Sequence, residues 1–354
     1  MNYFVFIRIL FFFVFILSLS AFCLDINYKR VSASNNKIHV FSNEEIIIAG
    51  ENGKLIKTYD AGVHWHWIET NTRNSFISMY FNSNGKGVLN TNSEIFYSYD
   101  KGESWNKIIQ FSDSSIFQSI IPKNRQDIIF SQGSNLLKTY INNKNIDTIL
   151  KTNDIITHFF VIDSIIYLST QKEFYKLVNE EVKIRTLVKG HYNSRINNFA
   201  VINNNILIGG ADTNKNNYSN FLMKSSDGGK TFDSVKFKDI GYIHRIITAD
   251  NNFVVMNSWG ILFQYSQDFN FVKSYTIKPT QYLKFSKDLI ILKDIFDYNN
   301  IIYFCGRDQS VGYLQNSKTK LLKYAPSQYP VPLYGVYLTN IKKYDNKLFA
   351  LSSG

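Results

Sequence analysis

A repeat of about forty residues, a recurring Asp-x-Gly turn, and short apolar runs separated by Asn, Asp and Gly predict an all-β fold. The fold class they predict is a β-propeller of about seven four-stranded blades, with eight as the alternative count. The 354 residues are enough for such a ring and can bury a large core without disulfide staples. Aromatic residues make up 16% of the chain, with 29 Phe and 23 Tyr, a bias that suits pleated, half-buried surfaces.

The period is read from the aspartates. Asp60 and Asp100 lie 40 residues apart, and Asp227 and Asp268 lie 41 apart. Asn52 to Trp65 matches Asn92 to Trp105, and Asn220 to Phe232 is a third copy. Gly260 to Asn270 is a decayed fourth. Between Asp100 and Asp227 there is room for two worn copies, Gly133 to Tyr140 and Lys172 to Leu177, and Gly312 to Asn316 marks a seventh unit. Within each unit an apolar run leads through a polar turn to a second run, as in Phe199 to Ile202, Asn203 to Asn205 and Ile206 to Gly210. These are hairpin signals, and no stretch after the first two dozen residues carries a helical period.

The chain opens with a three-part leader: Met1 to Arg8, the apolar run Ile9 to Leu19, then Ser20-Ala21-Phe22-Cys23. This pattern predicts a signal peptide over 1–23, a mature propeller over 24–354, and a secreted, periplasmic or cell-surface protein. The alternative is an uncleaved anchor over residues 3 to 23, through which alone membrane contact is expected. Of the two cysteines, Cys23 ends the leader and Cys305 sits in an apolar run, where it reads as a small buried residue. At the other end, Leu333 to Leu338 and Asn346 to Ser352 resemble the first two strands of a further blade with no motif strand after them, which favours truncation at the C-terminus; the alternative is that residues around Asn27 to Ser32 complete them as a shared blade.

The net charge is +11, from 39 Lys and Arg against 28 Asp and Glu. The basic residues are scattered rather than clustered, which fits solvated surface lysines and argues against a nucleic-acid partner. No Gly-rich phosphate loop leading into a helix is present. His64 and His66 flank Trp65 at strand spacing, which would put both rings on one strand face; without further ligands in register they make no metal site. No metal or cofactor is expected.

Ser225-Ser226-Asp227-Gly228-Gly229-Lys230-Thr231-Phe232 resembles the Asp-box, or BNR repeat, Ser-x-Asp-x-Gly-x-Thr-Trp. Ser98 to Trp105 is similar, and Thr58 to Trp65 keeps Asp60, Gly62 and Trp65. The resemblance implies a propeller of the kind found in photosystem assembly and stability factors, sortilin-type receptors and sialidases. It also implies structural roles for Asp60, Asp100, Asp227 and Asp268, for Gly62, Gly102 and Gly229, and for Trp65, Trp105 and Phe232. The physics agrees: the Asp accepts backbone N–H bonds in the turn, the Gly supplies a positive φ, and the aromatic fills space against a neighbour.

Ligand groups are then expected on the opposite face, in loops that lead into each innermost strand or join the second and third strands. The candidate binding residues there are Arg73, His191, Tyr192, Arg195, Trp259 and Arg307, with Glu51, Asp212 and Asp308 nearby. No catalytic residue is assigned. A sialidase needs an arginine cluster, a Tyr–Glu nucleophile pair and an Asp acid, and the Arg-Ile-Pro motif ahead of the first box is absent. Two functional classes remain: an exported non-catalytic scaffold that binds protein or glycan, and a secreted glycoside hydrolase built on the same propeller.

Overall fold

The computed structural model describes residues 35–112, 116–120, 127–141, 143–188, 194–212, 219–237, 242–257, 260–276, 292–306, 311–315, 318–322, 337–344 and 347–353. Residues 32 to 325 form one compact unit, a seven-bladed all-β propeller with four antiparallel strands per blade. Blade 1 is β1 (Asn35–Val40), β2 (Ile46–Gly50), β3 (Leu55–Thr58) and β4 (His66–Trp67). Blade 2 is β5 (Ser78–Phe81), β6 (Gly87–Asn90), β7 (Glu94–Ser98) and β8 (Asn106–Gln110). Blade 3 is β9 (Ile116–Ile120), β10 (Asp127–Gln132), β11 (Asn135–Tyr140) and β12 (Asn143–Lys151). Blade 4 is β13 (Ile156–Ile162), β14 (Ile165–Thr170), β15 (Glu173–Val178) and β16 (Glu181–Leu187). Blade 5 is β17 (Ser194–Ile202), β18 (Asn205–Asp212), β19 (Ser219–Ser225) and β20 (Asp233–Ser234). Blade 6 is β21 (Ile243–Ala249), β22 (Asn252–Asn257), β23 (Ile261–Ser266) and β24 (Phe271–Thr276). Blade 7 is β25 (Leu292–Tyr298), β26 (Ile301–Gly306), β27 (Val311–Gln315) and β28 (Lys318–Leu321).

Burial grades outward through each blade. The second strand is covered on both faces, so it reads as an unbroken apolar run: Ile46, Ile47, Ile48 and Ala49 of β2 are all fully buried. The fourth strand is the rim, and β16 and β24 are almost wholly exposed. The tight turns between first and second strands explain the abundance of Asn and Asp. Asp163, Asn203, Asp250, Asn251, Asn299 and Asn300 all have positive φ, which short polar side chains tolerate best.

The three clearest motif turns share one hydrogen-bond pattern. Ser98 Oγ donates to Asp100 Oδ1 (2.7 Å) and accepts from Gly102 N–H (2.8 Å), while Asp100 Oδ2 accepts from Ser104 Oγ (2.6 Å). Ser225, Asp227, Gly229 and Thr231 repeat it. In the first turn Thr58 replaces the Ser, and the His64 ring nitrogen Nδ1 lies 2.6 Å from Asp60 Oδ2, where the others put a hydroxyl. His64 thus belongs to the turn, while His66 opens β4 against Tyr59 (5.6 Å between rings). The expectation of two imidazoles on one strand face is corrected: the turn extends three residues past Gly62 before β4 begins.

Each closing aromatic packs on the blade before it. Trp105 joins Phe81 (5.6 Å, edge to face) and a cluster with Ile47, Ala49 and Leu55 of blade 1. Trp65 packs on the cluster shared by blades 1 and 7, and Phe232 lies 5.5 Å from Phe174 of blade 4. Asp268 is exposed, and in its turn the buried Phe269, at φ 66°, stacks on Phe253.

The ring closes between blades 1 and 7, and among the described residues each of these blades is built from four consecutive strands. Ile38, Val40, Ile46 and Ile48 pack with Tyr303, Cys305 and Val311, and Tyr303 OH donates to Asn43 Oδ1 (3.1 Å). Cys305 is a buried free thiol at this seam, as its apolar run implied. A second unit contains the hairpin β29 (Tyr337–Tyr344) and β30 (Lys347–Ser353), paired in antiparallel register from Tyr337–Ser353 to Tyr344–Lys347. Residues 333–336 of the expected first strand lie outside the described residues, and the strand runs on past Leu338 to Tyr344.

Candidate functional site

The first strand of every blade faces the axis, and its leading end is irregular. In β1, β9, β13, β17, β21 and β25 one residue is skipped in the pairing with the second strand: Asn36, Phe117, Thr157, Asn197, His244 and Lys293. A bulge of this kind sets two residues against one and turns consecutive side chains towards the same side. The β5 strand has its own version, since both Ile77 and Ser78 face Asn90.

The bulges create a polar layer around the axis. A cavity of about 130 Å³ lies there, with walls from all seven innermost strands. Its polar and charged lining includes Lys37, His158, Asn197, His244, Arg245 and Lys293. Two residues further along, the same strands carry an aromatic layer. His39 packs against Phe41, Phe81 and Phe296, with ring centres 4.6 to 4.8 Å apart, and Phe160 lies 5.1 Å from Phe199.

Side chains at the bulges also stitch blades 1, 3, 5 and 7 towards the next. Gln118 accepts from Phe159 N–H (3.1 Å) and donates to Phe159 C=O (2.8 Å). Asn198 Oδ1 accepts from Ile246 N–H (3.0 Å), and Asn197 donates to Ile243 C=O (3.2 Å). Asp294 Oδ2 accepts from Ile38 N–H (3.3 Å), and Asn36 donates to Phe76 C=O (3.0 Å). Every one of these bonds points from a blade to its successor. Apart from the Phe76 C=O, which precedes β5, the backbone groups they occupy belong to innermost strands.

The layer is electropositive. Lys37, Arg245 and Lys293 line the cavity with two histidines, and among the described lining residues there is no Asp or Glu. Asp294 stands beside it, buried, with Oδ1 3.3 Å from Arg245 Nε. Burial lowers the Lys37 pKa; Asp294 works against that and Arg245 adds to it. Burial likewise holds His158 well below its ordinary value, helped by Arg245 and Lys37, so its ring is neutral at pH 7. Among the described residues, no group of three His, Cys, Asp or Glu could hold a metal ion.

Of the binding candidates drawn from the sequence, Arg73 and Arg195 are described and exposed. Arg73 lies between β4 and β5, and Arg195 lies near the start of β17. Neither lines the cavity. His191, Tyr192, Trp259, Arg307 and Asp308 fall outside the described residues. Glu51 sits in the β2–β3 loop, which packs on the loop carrying Arg73 through Gly53 N–H to Asn74 C=O (3.0 Å). The cavity residues escaped the sequence reading because they lie inside strands. Their signal is a short repeat in which an Ile or Leu precedes two polar residues and another apolar one: Ile156-Thr157-His158-Phe159, Ile196-Asn197-Asn198-Phe199, Ile243-His244-Arg245-Ile246 and Leu292-Lys293-Asp294-Ile295.

No family model and no curated protein matches the chain. Solved structures do. The chain is similar to YCF48 bound to D1 peptide, at 12% identity and TM-score 0.56, over 79% of this chain and 93% of that one. It is similar to YCF48 from Cyanidioschyzon merolae, at 14% identity and TM-score 0.57, over 79% and 95%. An ancestral GH74 enzyme aligns at 10% identity and TM-score 0.65, over 91% of this chain, which spans 49% of that enzyme. At such identities the likeness is one of fold.

Proposed function

We propose that the chain is an exported, non-catalytic propeller that binds a protein partner on the face where its innermost strands begin. The observation that carries this reading is the character of the axial layer. Its walls are lysines, an arginine, histidines, amides and hydroxyls, and among the described residues no pair of carboxyls faces across it, as glycoside hydrolysis requires. That YCF48 has been captured with a peptide supports the same choice. The Ser-x-Asp-x-Gly turns belong in this reading to Asp-box repeats, on the strength of their shared hydrogen bonds, and residues 1–23 act as the export leader. A glycan partner, or glycan hydrolysis on the same scaffold, is the alternative.

The test is a crosslinking pull-down from the exported fraction, run with the wild type, with Arg73→Ala/Arg195→Ala, and with Lys183→Ala on the rim strand β16. Loss of a discrete protein partner in the first variant, and its retention in the second, is the expected result. Turnover of chromogenic glycosides by the purified chain would replace this reading with the hydrolase.

A further inference from the structure

We propose that the axial cavity is a binding site for a compact oxyanion, a carboxylate or phosphate group held among Lys37, Arg245 and Lys293. This goes beyond the partner-binding reading and does not depend on it.

The charge count comes first. Lys37, Arg245 and Lys293 line one cavity, and among the described residues Asp294 is the acid beside it. That carboxylate is already committed, one oxygen to Arg245 and the other to the backbone N–H of Ile38. The layer therefore holds more positive than negative charge in a place where water screens poorly. Burial is the main cause that depresses the Lys37 pKa and Arg245 adds to it, so an anion beside the Lys37 ammonium would favour its charged form.

Size and rigidity point the same way. About 130 Å³ leaves room for a carboxylate or phosphate group. The walls are held by Gln118, Asn198 and Asp294, which fix neighbouring strands to one another at the height of the cavity. The cations are thus positioned before a ligand arrives, so little ordering remains to oppose binding. A cation fits poorly, since the donor set is positive and amide-rich.

The experiment is calorimetric titration of the full chain with sodium phosphate and, separately, sodium acetate, with ionic strength held constant by sodium chloride. Saturable heat is expected from at least one of them: phosphate alone assigns the site to phosphate, acetate alone to carboxylate, both to their shared chemistry. The variant Lys37→Gln/Lys293→Gln is expected to bind about tenfold more weakly or worse, as loss of close charge contacts implies. Should the double variant not fold, Lys293→Gln alone, at the half-exposed bulge, carries the same expectation. The rim variant Lys183→Gln is expected to bind as the wild type does. Absence of saturable heat from both anions overturns the proposal, as does wild-type affinity in the cavity variants.

Discussion

Asp294 of the last blade accepts a hydrogen bond from the backbone N–H of Ile38 in the first, 256 positions away in the chain, at 3.3 Å. Its other oxygen faces Arg245 of blade 6. One buried carboxylate thus joins three consecutive blades at the axis. Asp294→Ala leaves the Ile38 N–H and the Arg245 charge without it, and is expected to cost about 3 kcal/mol. Asp294→Asn keeps an acceptor for Ile38 and is expected to cost less than half of that. Urea unfolding of the two variants checks the order; equal losses would mean that the hydrogen bond to Ile38 contributes nothing.

Trp105 is 8% exposed and fills the joint between blades 1 and 2. Trp105→Ala is expected to cost about 3–5 kcal/mol, the usual range for deleting a large buried aromatic. Trp65→Ala, at a half-buried site on the seam, is expected to cost less. Denaturation midpoints of the pair measure the difference.

Two glycines with positive φ separate strain from crowding. At Gly229, φ is 98° and a Cβ would sit 2.3 Å from the Phe174 ring, whereas at Gly133, φ is 57° with nothing within 4 Å. Gly133→Ala is expected to cost about 1 kcal/mol, the backbone penalty alone. Gly229→Ala adds a collision with a packed ring and is expected to exceed about 2 kcal/mol. Thermal unfolding of both variants tests the contrast.

The motif turns set an acid limb. The backbone N–H of His64, then its ring and the Thr58 hydroxyl, lower the Asp60 pKa from 3.8 to about 2. At Asp100 and Asp227 burial pushes upward, but hydrogen bonds from the neighbouring hydroxyls and N–H groups outweigh it, so both are lowered too. A carboxylate depressed on folding contributes stability that is complete above its unfolded pKa and is lost as pH falls through its folded value. Stability is therefore expected to decline from about pH 4 towards pH 2 and below. Asp60→Asn and Asp227→Asn should each flatten that decline; an unchanged slope in urea midpoints against pH would contradict the assignment.

Period and turn chemistry were enough to place the blades. Asp100 and Gly102 need a particular backbone, so the motif survives in the sequence, and Gly133 to Tyr140 and Lys172 to Leu177 fall on third strands as their spacing required. The worn copies lost the aspartate yet kept the alternation that buries Leu136 and Phe174. The axial layer was not legible in the same way. A bulge carries no turn residue to mark it, and Asn197-Asn198 or His244-Arg245 inside an apolar run reads as a loop margin. Loop composition points to segments such as the one carrying Arg73, whereas the cavity is walled mainly by strands. The His64 ring was misplaced because spacing by two cannot distinguish a strand from the last residues of a turn.

The joint between the first and last blades is built from the same parts as the joint between blades 1 and 2: an apolar cluster, a closing Trp and a bulge side chain reaching towards the next blade. Every hydrogen-bonded strand pair in the ring links neighbours in the chain, so no blade is assembled from distant segments. The topology therefore has no privileged starting point. A gene for the ring alone, residues 32 to 325, cut at any loop between blades and rejoined between its first and last strands, would encode the same set of sheets in rotated order. Circular permutation at successive blade boundaries would reveal whether the seven joints are also interchangeable in energy.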